Sequence, residues 1–333
     1  MPKADHYAVV VGIGSYPGLH GPALDGPAED VRRFVAWLSS PEGGDLPAAN
    51  IRTLPAPTGR HPDRADIDAL FRPFYEAGQG ARVGERLYIV AAGHGISDGI
   101  DLHSVALLTA DATADDPLHV AMVKRAEWFR RHAAFDEIVL FADCCRDAPG
   151  FELSLPGWPE RWNAGRAHPR ASRVRYLHGF AAGYGKKARE RDFGDGRICG
   201  IFTETLLRAL REALPDATGR VTGRRLKDHV YTIHQSVAGD APVDEPAFDD
   251  HDEDRIVFAN PPGTHTHPVT VRMQPHTGRE TLVVSQGAAQ VARIPSATSP
   301  QTISLVPGLY KCAIGGSDRA QLIEVPSDDV CFL

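Results

Sequence analysis

The sequence predicts an α/β domain built as three layers, a mostly parallel sheet between helices, followed by a small all-β sandwich. Three observations lead there. The apolar runs at residues 7–13, 87–91 and 138–142 are continuous rather than alternating, as in strands covered on both faces. Segments with apolar residues at helical spacing alternate with these strands, the pattern of an α/β sheet. Beyond Asn260 the helical pattern stops, and short alternating runs replace it.

Residues 7–13 (Tyr-Ala-Val-Val-Val-Gly-Ile) give the first strand, and 14–21 a turn rich in Gly and Pro. Residues 25–38 read as an amphipathic helix with Val31, Phe34, Val35 and Leu38 on one stripe and Pro27 near its start. A short strand at 51–54, a loop to 62 and a helix at 65–76 carrying Ile67, Leu70, Phe71 and Phe74 come next. The strand at 87–91 runs into Gly93-His94-Gly95. A short strand at 105–108, an acidic loop at 111–116 and a helix at 120–135 lead to the strand at 138–142. Residues 147–174 are rich in Arg, Pro and Gly without apolar periodicity, and read as an exposed, flexible loop. A strand at 176–182, a glycine-rich turn at 194–200, helices at 201–214 and 226–237 and a strand at 256–259 complete the first domain, 1–260. The run 249–253 reads as a surface loop. A Pro/Thr/His linker at 261–268 contains His265-Thr266-His267, which lacks partners at zinc spacing. The sandwich at 269–333 is expected from runs at 269–273, 280–285, 290–294, 302–305, 310–314 and 321–325.

The chain has 333 residues, enough for about two domains, and a formal net charge of −7, which gives no electrostatic reason to expect nucleic acid as partner. The opening apolar run is too short to cross a membrane, so no membrane partner is expected. Five cysteines is an odd number and Cys144 and Cys145 adjoin, so no disulfide framework is indicated. A cytoplasmic location follows, where a free thiol survives.

The strand 138–142 ends in Asp143-Cys144-Cys145-Arg146-Asp147, a thiol beside acids where open α/β sheets place their crevices. His94 lies 51 residues upstream, between glycines at the end of another buried strand. A right-handed crossover of that length puts both strand ends on one edge of the sheet. A thiol needs a neighbouring base to become a nucleophilic thiolate at neutral pH, and imidazole supplies it. Adjacent strand residues face opposite ways, so one of Cys144 and Cys145 faces the crevice and the other the core. The plain alternative is a buried thiol and a turn histidine.

Five motifs in order resemble the caspase-like cysteine peptidases, the caspase and metacaspase group in its prokaryotic form. Residues 7–16 resemble the family's first strand with its Gly-Ile-x-x-Tyr end, and Ala28-Glu29-Asp30 its Ala-x-x-Asp helix start. Ala92-Gly93-His94-Gly95 is similar to Ser-Gly-His-Gly, and Asp143-Cys144-Cys145-Arg146 to Asp-x-Cys-His. Gly200-Ile201-Phe202-Thr203 resembles the helix start of the small subunit. The tail is similar to PEGA-like β-modules through Leu305-Val-Pro-Gly-Leu-Tyr. The resemblance implies a caspase-like fold, Cys145 as nucleophile, His94 as general base and acid, and an oxyanion hole from the backbone N–H groups of Gly95 and Cys145. It also implies substrate-binding carboxylates at Asp143 and Asp30, which favour cleavage after Arg or Lys. Asp30 alternatively serves its own helix's first turn. Ala92 departs from the family's serine. Lys186, Lys187 and Arg189 stand where metacaspases carry polar and acidic residues, and would suit cleavage after acidic residues instead.

No cofactor is required by this chemistry. Calcium is the one ion the metacaspase resemblance brings in, with Asp115, Asp116 and Glu152 as candidate ligands against a plain solvated acidic loop. The expected partners are a protein or peptide substrate and an activating protease or regulatory protein. Cleavage within Trp162–Arg175 would be the activating event. The resemblance further implies a role as effector in bacterial cell death or antiphage defence. The rival readings are a catalytically silent scaffold acting through its β-domain, and a Cys-dependent hydrolase or transferase of small amides.

Overall fold

The computed structural model describes residues 3–19, 23–54, 62–97, 104–146, 166–194, 196–213, 215, 220–259, 267–273, 280–287, 289–305, 308–325 and 330–333. It divides into two compact units, one of residues 1–211 with 222–258, the other of 212–221 with 259–333.

In the larger unit the chain runs through β1 (His6–Gly12), α1 (Gly26–Ser39), β2 (Ile51–Leu54), α2 (Arg64–Ala77) and β3 (Gly84–Gly93). A small antiparallel ribbon follows, β4 (Gly95–Ile96), β5 (Ala106–Leu108) and β6 (His119–Ala121), then α3 (Met122–His132), β7 (Phe135–Cys144) and β8 (Arg175–Phe180). A hairpin of β9 (Glu190–Asp192) and β10 (Ile198–Gly200) leads into α4 (Ile201–Glu212). Then come β11 (Val221–Thr222), α5 (Gly223–Ala238), β12 (Ala247–His251) and β13 (Val257–Ala259).

Six strands form one sheet in the order β12-β8-β7-β3-β1-β2, parallel except for β12 at its edge. Each central strand sends alternate residues to opposite faces, as its pleat requires. Val9 and Val11 of β1, with Ile89 and Leu140, meet Ile67, Phe71, Trp128 and Phe129 of α2 and α3. Ala8 and Val10, with Val90 and Phe141, meet Phe34 and Leu38 of α1, Leu206 of α4 and Val230 of α5. Both faces are covered, which explains why these strands show unbroken apolar runs. The expected three-layer, mostly parallel architecture is the one observed.

The elements differ from expectation in several places. The helix expected over 120–135 is shorter, because Val120 and Ala121 belong to β6, Ala133 closes α3 at φ 49°, and Phe135 already opens β7. The run expected as a surface loop at 249–253 supplies instead the end of β12, Asp249–His251, paired antiparallel to β8; Asp249 and Asp250 are half-buried beside His178 and Lys227, so the strand carries no apolar alternation to read. The strand expected last, now β13, stands outside the large sheet. Within the stretch expected as a flexible loop, residues 166–174 contain a 3-10 turn, Ala171–Arg173, with Ala171 and Val174 buried. Residues 147–165 lie outside the described set.

One buried ion pair sits inside the sheet. Arg86 of β3 and Glu137 of β7 are register partners, both about 2% exposed. The Arg86 Nε donates to Glu137 Oε2 at 2.6 Å, its other nitrogens to the Tyr88 hydroxyl (2.8 Å) and the Val257 carbonyl (3.0 Å). Arg175 of β8 donates to the other Glu137 oxygen at 2.5 Å. Burial, with Arg86 adding to it, holds the neighbouring His6 down to about 3, so it stays neutral there.

The smaller unit contains β14 (His267–Arg272), β15 (Glu280–Gln286), β16 (Ala289–Ala297), β17 (Gln301–Leu305), β18 (Gly308–Ile314), β19 (Ala320–Val325) and β20 (Val330–Phe332). They form a sheet β17-β14-β20 and a sheet β16-β15-β18-β19. Val269, Val271, Leu282, Val284, Tyr310, Cys312, Ile323 and Cys331 make one core, so this is the small all-β sandwich the alternating runs predict. Strand β20 had no counterpart in the sequence reading, because three residues are too few to show a period.

Glu137→Ala leaves the buried Arg86 guanidinium and the partly exposed Arg175 guanidinium without their shared carboxylate. It should lower unfolding free energy by about 3–5 kcal/mol, read from the urea midpoint. Arg175→Ala, which removes a half-exposed partner, should cost distinctly less.

Candidate active site

The register of β3 on β7 sets the site. Ala92 stands opposite Asp143 and Gly93 opposite Cys144, so His94 and Cys145 leave the sheet side by side. Both line one cleft at the carboxyl end of the parallel strands, together with Leu24, Asp30, Asp143 and Glu190. In the strand order, β1 lies between β2 and β3, and connections run to either side of it; such a switch point is where open α/β sheets form their crevices.

Cys144 and Cys145 part as adjacent strand residues must. Cys144 is 1% exposed within the apolar core, where burial pushes its thiol far up and keeps it protonated. Cys145 is partly exposed, and its Sγ lies 3.8 Å from the Ala188 carbonyl oxygen. Behind it, Arg146 is buried, its guanidinium 4.4 Å from the centre of the Phe180 ring, with bonds to the Ser104 (3.3 Å) and Ala182 (3.4 Å) carbonyls. Its backbone is tied on both sides, N–H to the Lys186 carbonyl and C=O to the Gly185 N–H, both at 2.9 Å. The nucleophile candidate thus sits on a braced turn.

His94 is held by Tyr16, which its motif does not mark as a site residue. The His94 backbone N–H donates to the Tyr16 hydroxyl at 2.8 Å, and the two rings lie 4.7 Å apart. Tyr16 is buried, which pushes its hydroxyl well above the ordinary range, so it remains a neutral acceptor. A side chain at position 95 would run into Cys144 Sγ and the Cys145 carbonyl, each 2.6 Å from its first carbon, so only glycine lets these backbones meet. Gly95 therefore adjoins Cys145 in space.

Asp30 and Asp143 come together at the cleft floor from α1 and β7. Asp143 accepts from the Thr203 N–H (2.8 Å) and hydroxyl (2.7 Å), capping α4 from a neighbouring strand. Asp30 accepts from the Gly200 N–H at 3.0 Å. Burial pushes Asp143 up to about 6, outweighing the two Thr203 bonds that favour its anion. Burial, then the Asp143 charge, pushes Asp30 well above the carboxylate range. Glu190, also missed from the sequence, adds a third carboxylate; it accepts from the Gly26 N–H at 2.8 Å at the start of α1. Its neighbours Lys186, Lys187 and Arg189 hid it. Of these, Lys186 pairs with Asp244 at 3.5 Å, and Arg189 lines the cleft.

Asp115 and Asp116 are exposed, and Asp116 closes a turn by donating its N–H to the Thr113 hydroxyl at 3.0 Å. Glu152 lies outside the described residues. Among the described residues no three His, Cys, Asp or Glu side chains gather as a metal site. Among them, too, no helix is long and apolar enough to cross a membrane.

No family model matches the chain. It is similar to a probable protease from a Desulfuromonadales bacterium, 25% identical over 224 residues, covering 62% of this chain. The chain spans about a quarter (26%) of that relative's length. Among solved structures it is similar to a protein of Geobacter sulfurreducens (TM-score 0.46, 14% identity, 74% of this chain and 93% of that one). It is also similar to caspase-1 from Spodoptera frugiperda (TM-score 0.47, 12% identity, 78% and 90%).

Four cysteines are buried and Cys145 is not. Iodoacetamide on the native protein should therefore add one equivalent quickly. Cys145→Ser should abolish that label and Cys144→Ser should keep it, as read by intact mass.

Proposed function

We propose that the chain is a cysteine endopeptidase of the caspase and metacaspase type that cuts proteins after Arg or Lys. The observation that carries this reading is the convergence of Cys145, His94, Asp30 and Asp143 on one cleft. Its volume, about 90 Å³, suits a single side-chain head; small-molecule sites usually span roughly 300–1,000 Å³. That favours an extended peptide offering one residue over a small amide substrate. The buried carboxylates favour a cation, because an arriving guanidinium gives them the partner they lack and brings their proton affinity down.

In this reading the Cys145 thiol passes its proton to His94, and the thiolate attacks the carbonyl carbon of the Arg or Lys, breaking its bond to the next residue's nitrogen. The oxyanion forms beside the backbone N–H groups of Gly95 and Cys145. His94 returns the proton to the departing amine, then takes one from the water that hydrolyses the thioester. The likeness to a protein named a probable protease agrees with it. The same reading keeps cleavage in the Arg-rich segment as the activating step, and a defensive or cell-death role as its setting. Arg170 and Arg173 are exposed there, around the 3-10 turn.

Fluorogenic peptides ending in Arg, Lys or Asp test it. Turnover of Arg and Lys substrates should vanish in Cys145→Ala and fall roughly 10²–10⁴-fold in His94→Ala. Turnover confined to Asp substrates would sink the basic pocket, and none at all would favour the silent scaffold.

A second outcome concerns pH. Asp143 adds its charge to the pocket only as it ionises, so KM for an Arg peptide should fall as pH rises through about 6. Asp143→Asn keeps the Thr203 bonds but removes the charge. It should flatten that profile and lower kcat/KM for Arg by about 10–100-fold.

A further inference from the structure

At the opposite end of the sheet lies a second and larger cleft, of about 680 Å³. It sits under the amino-terminal ends of β3, β7 and β8, where Glu85, Asp136 and Arg175 begin their strands. Strand β7 spans the molecule between the two clefts, so they are roughly 30 Å apart.

We propose that this cleft binds a small oligophosphate anion. Five arginines line it, Arg82, Arg170, Arg173, Arg175 and Arg255, against three carboxylates, Glu85, Asp136 and Asp252. Two of those carboxylates are already engaged: Arg82 Nε lies 2.8 Å from Asp136, and Arg255 lies 3.2 Å from Asp252. Arg175 is tied to Glu137 behind the wall. Glu85, on the cleft's β3 side, faces His6 at 3.4 Å, an imidazole that burial keeps neutral. Arg170 and Arg173 have no carboxylate partner among the described residues, and both are exposed on a turn whose backbone is ordered by the Arg173 N–H to Arg170 carbonyl bond (2.9 Å).

Two guanidiniums without a carboxylate partner among the described residues line one concavity in which arginines outnumber carboxylates five to three, so the concavity carries an excess of cationic donors. Guanidinium groups grip phosphate through paired N–H donors, which a single ammonium cannot reproduce. Apolar side chains in the wall are few, Ala133 and Val174, and the only aromatic-type ring is His251, so the wall offers charge rather than a stacking or apolar surface. That chemistry fits a run of phosphates better than an acidic peptide, whose apolar parts would find nothing to bury them.

Calorimetric titration of the full-length Cys145→Ala protein with inorganic tripolyphosphate at low ionic strength tests this. Saturable binding that weakens with added salt is expected, and R170A/R173A should weaken it tenfold or more. Equal affinity in the double variant, or no binding to the parent, overturns the proposal. Tighter binding of a glutamate-rich peptide than of tripolyphosphate overturns the phosphate class. A nucleoside triphosphate arm separates sources: equal affinity assigns the phosphate chain as ligand, higher affinity a nucleotide, and either upholds the site. Should the double variant fold poorly, protection of arginines from phenylglyoxal by tripolyphosphate in the parent gives the same answer; unprotected Arg170 and Arg173 would refute it.

Discussion

The buried pair of Arg86 and Glu137 is the contact on which the site's geometry depends. The two residues are partners across β3 and β7, and the ladder runs in register from them to Gly93 opposite Cys144. A slip of one residue would turn every side chain of a strand to the other face. For strands apolar on both faces, such as these, apolar packing alone punishes that slip weakly. The charged pair punishes it strongly, because a displaced guanidinium or carboxylate would meet Leu87 or Ile138 in the core instead of its partner. Fixing the register at one end of the sheet therefore fixes which residue stands beside His94 at the other.

The cleft at that far end stores an electrostatic cost. Asp30 and Asp143 are drawn together because each serves a backbone: Asp30 bonds Gly200, and Asp143 caps α4. A side chain at Gly200 would collide with the Asp143 carboxylate, so glycine is required for the two to share one floor. The folded chain holds the Asp143 proton more tightly than an unfolded chain would. Stability is therefore lost as pH rises from about 4 to about 6.

What was readable in the sequence followed from burial. Continuous apolar strands, helix stripes at 3.6-residue spacing and the change of period after Asn260 each report which faces meet a core, and they set the layers. The adjacent cysteines also separate by strand geometry, with Cys144 in the core. Features set by pairing rather than burial stayed hidden. Strand β12 has only a sheet neighbour on one side, and its Asp249 and Asp250 look like loop residues. Glu190 reaches the cleft through a hairpin whose local sequence is basic, and Tyr16 matters through its hydroxyl's contact with a backbone some eighty positions away (His94). No local pattern encodes such contacts.

The two ends of the sheet carry opposite charge, and the parallel topology explains how one chain can do this. All connections between parallel strands deliver loops from the carboxyl ends to the amino ends, so each edge collects its own set of loop residues. The carboxyl-edge cleft brings together Asp30, Asp143 and Glu190 with Arg189, and the amino-edge cleft five arginines with Glu85, Asp136 and Asp252. Separation by the length of β7 leaves little direct electrostatic influence between them, since roughly 30 Å exceeds the ~8 Å screening length at physiological salt several-fold. Each edge can thus hold its own charge without neutralising the other. Any influence of one on the other has to pass through the rigid, fully covered strands whose register Arg86 and Glu137 hold.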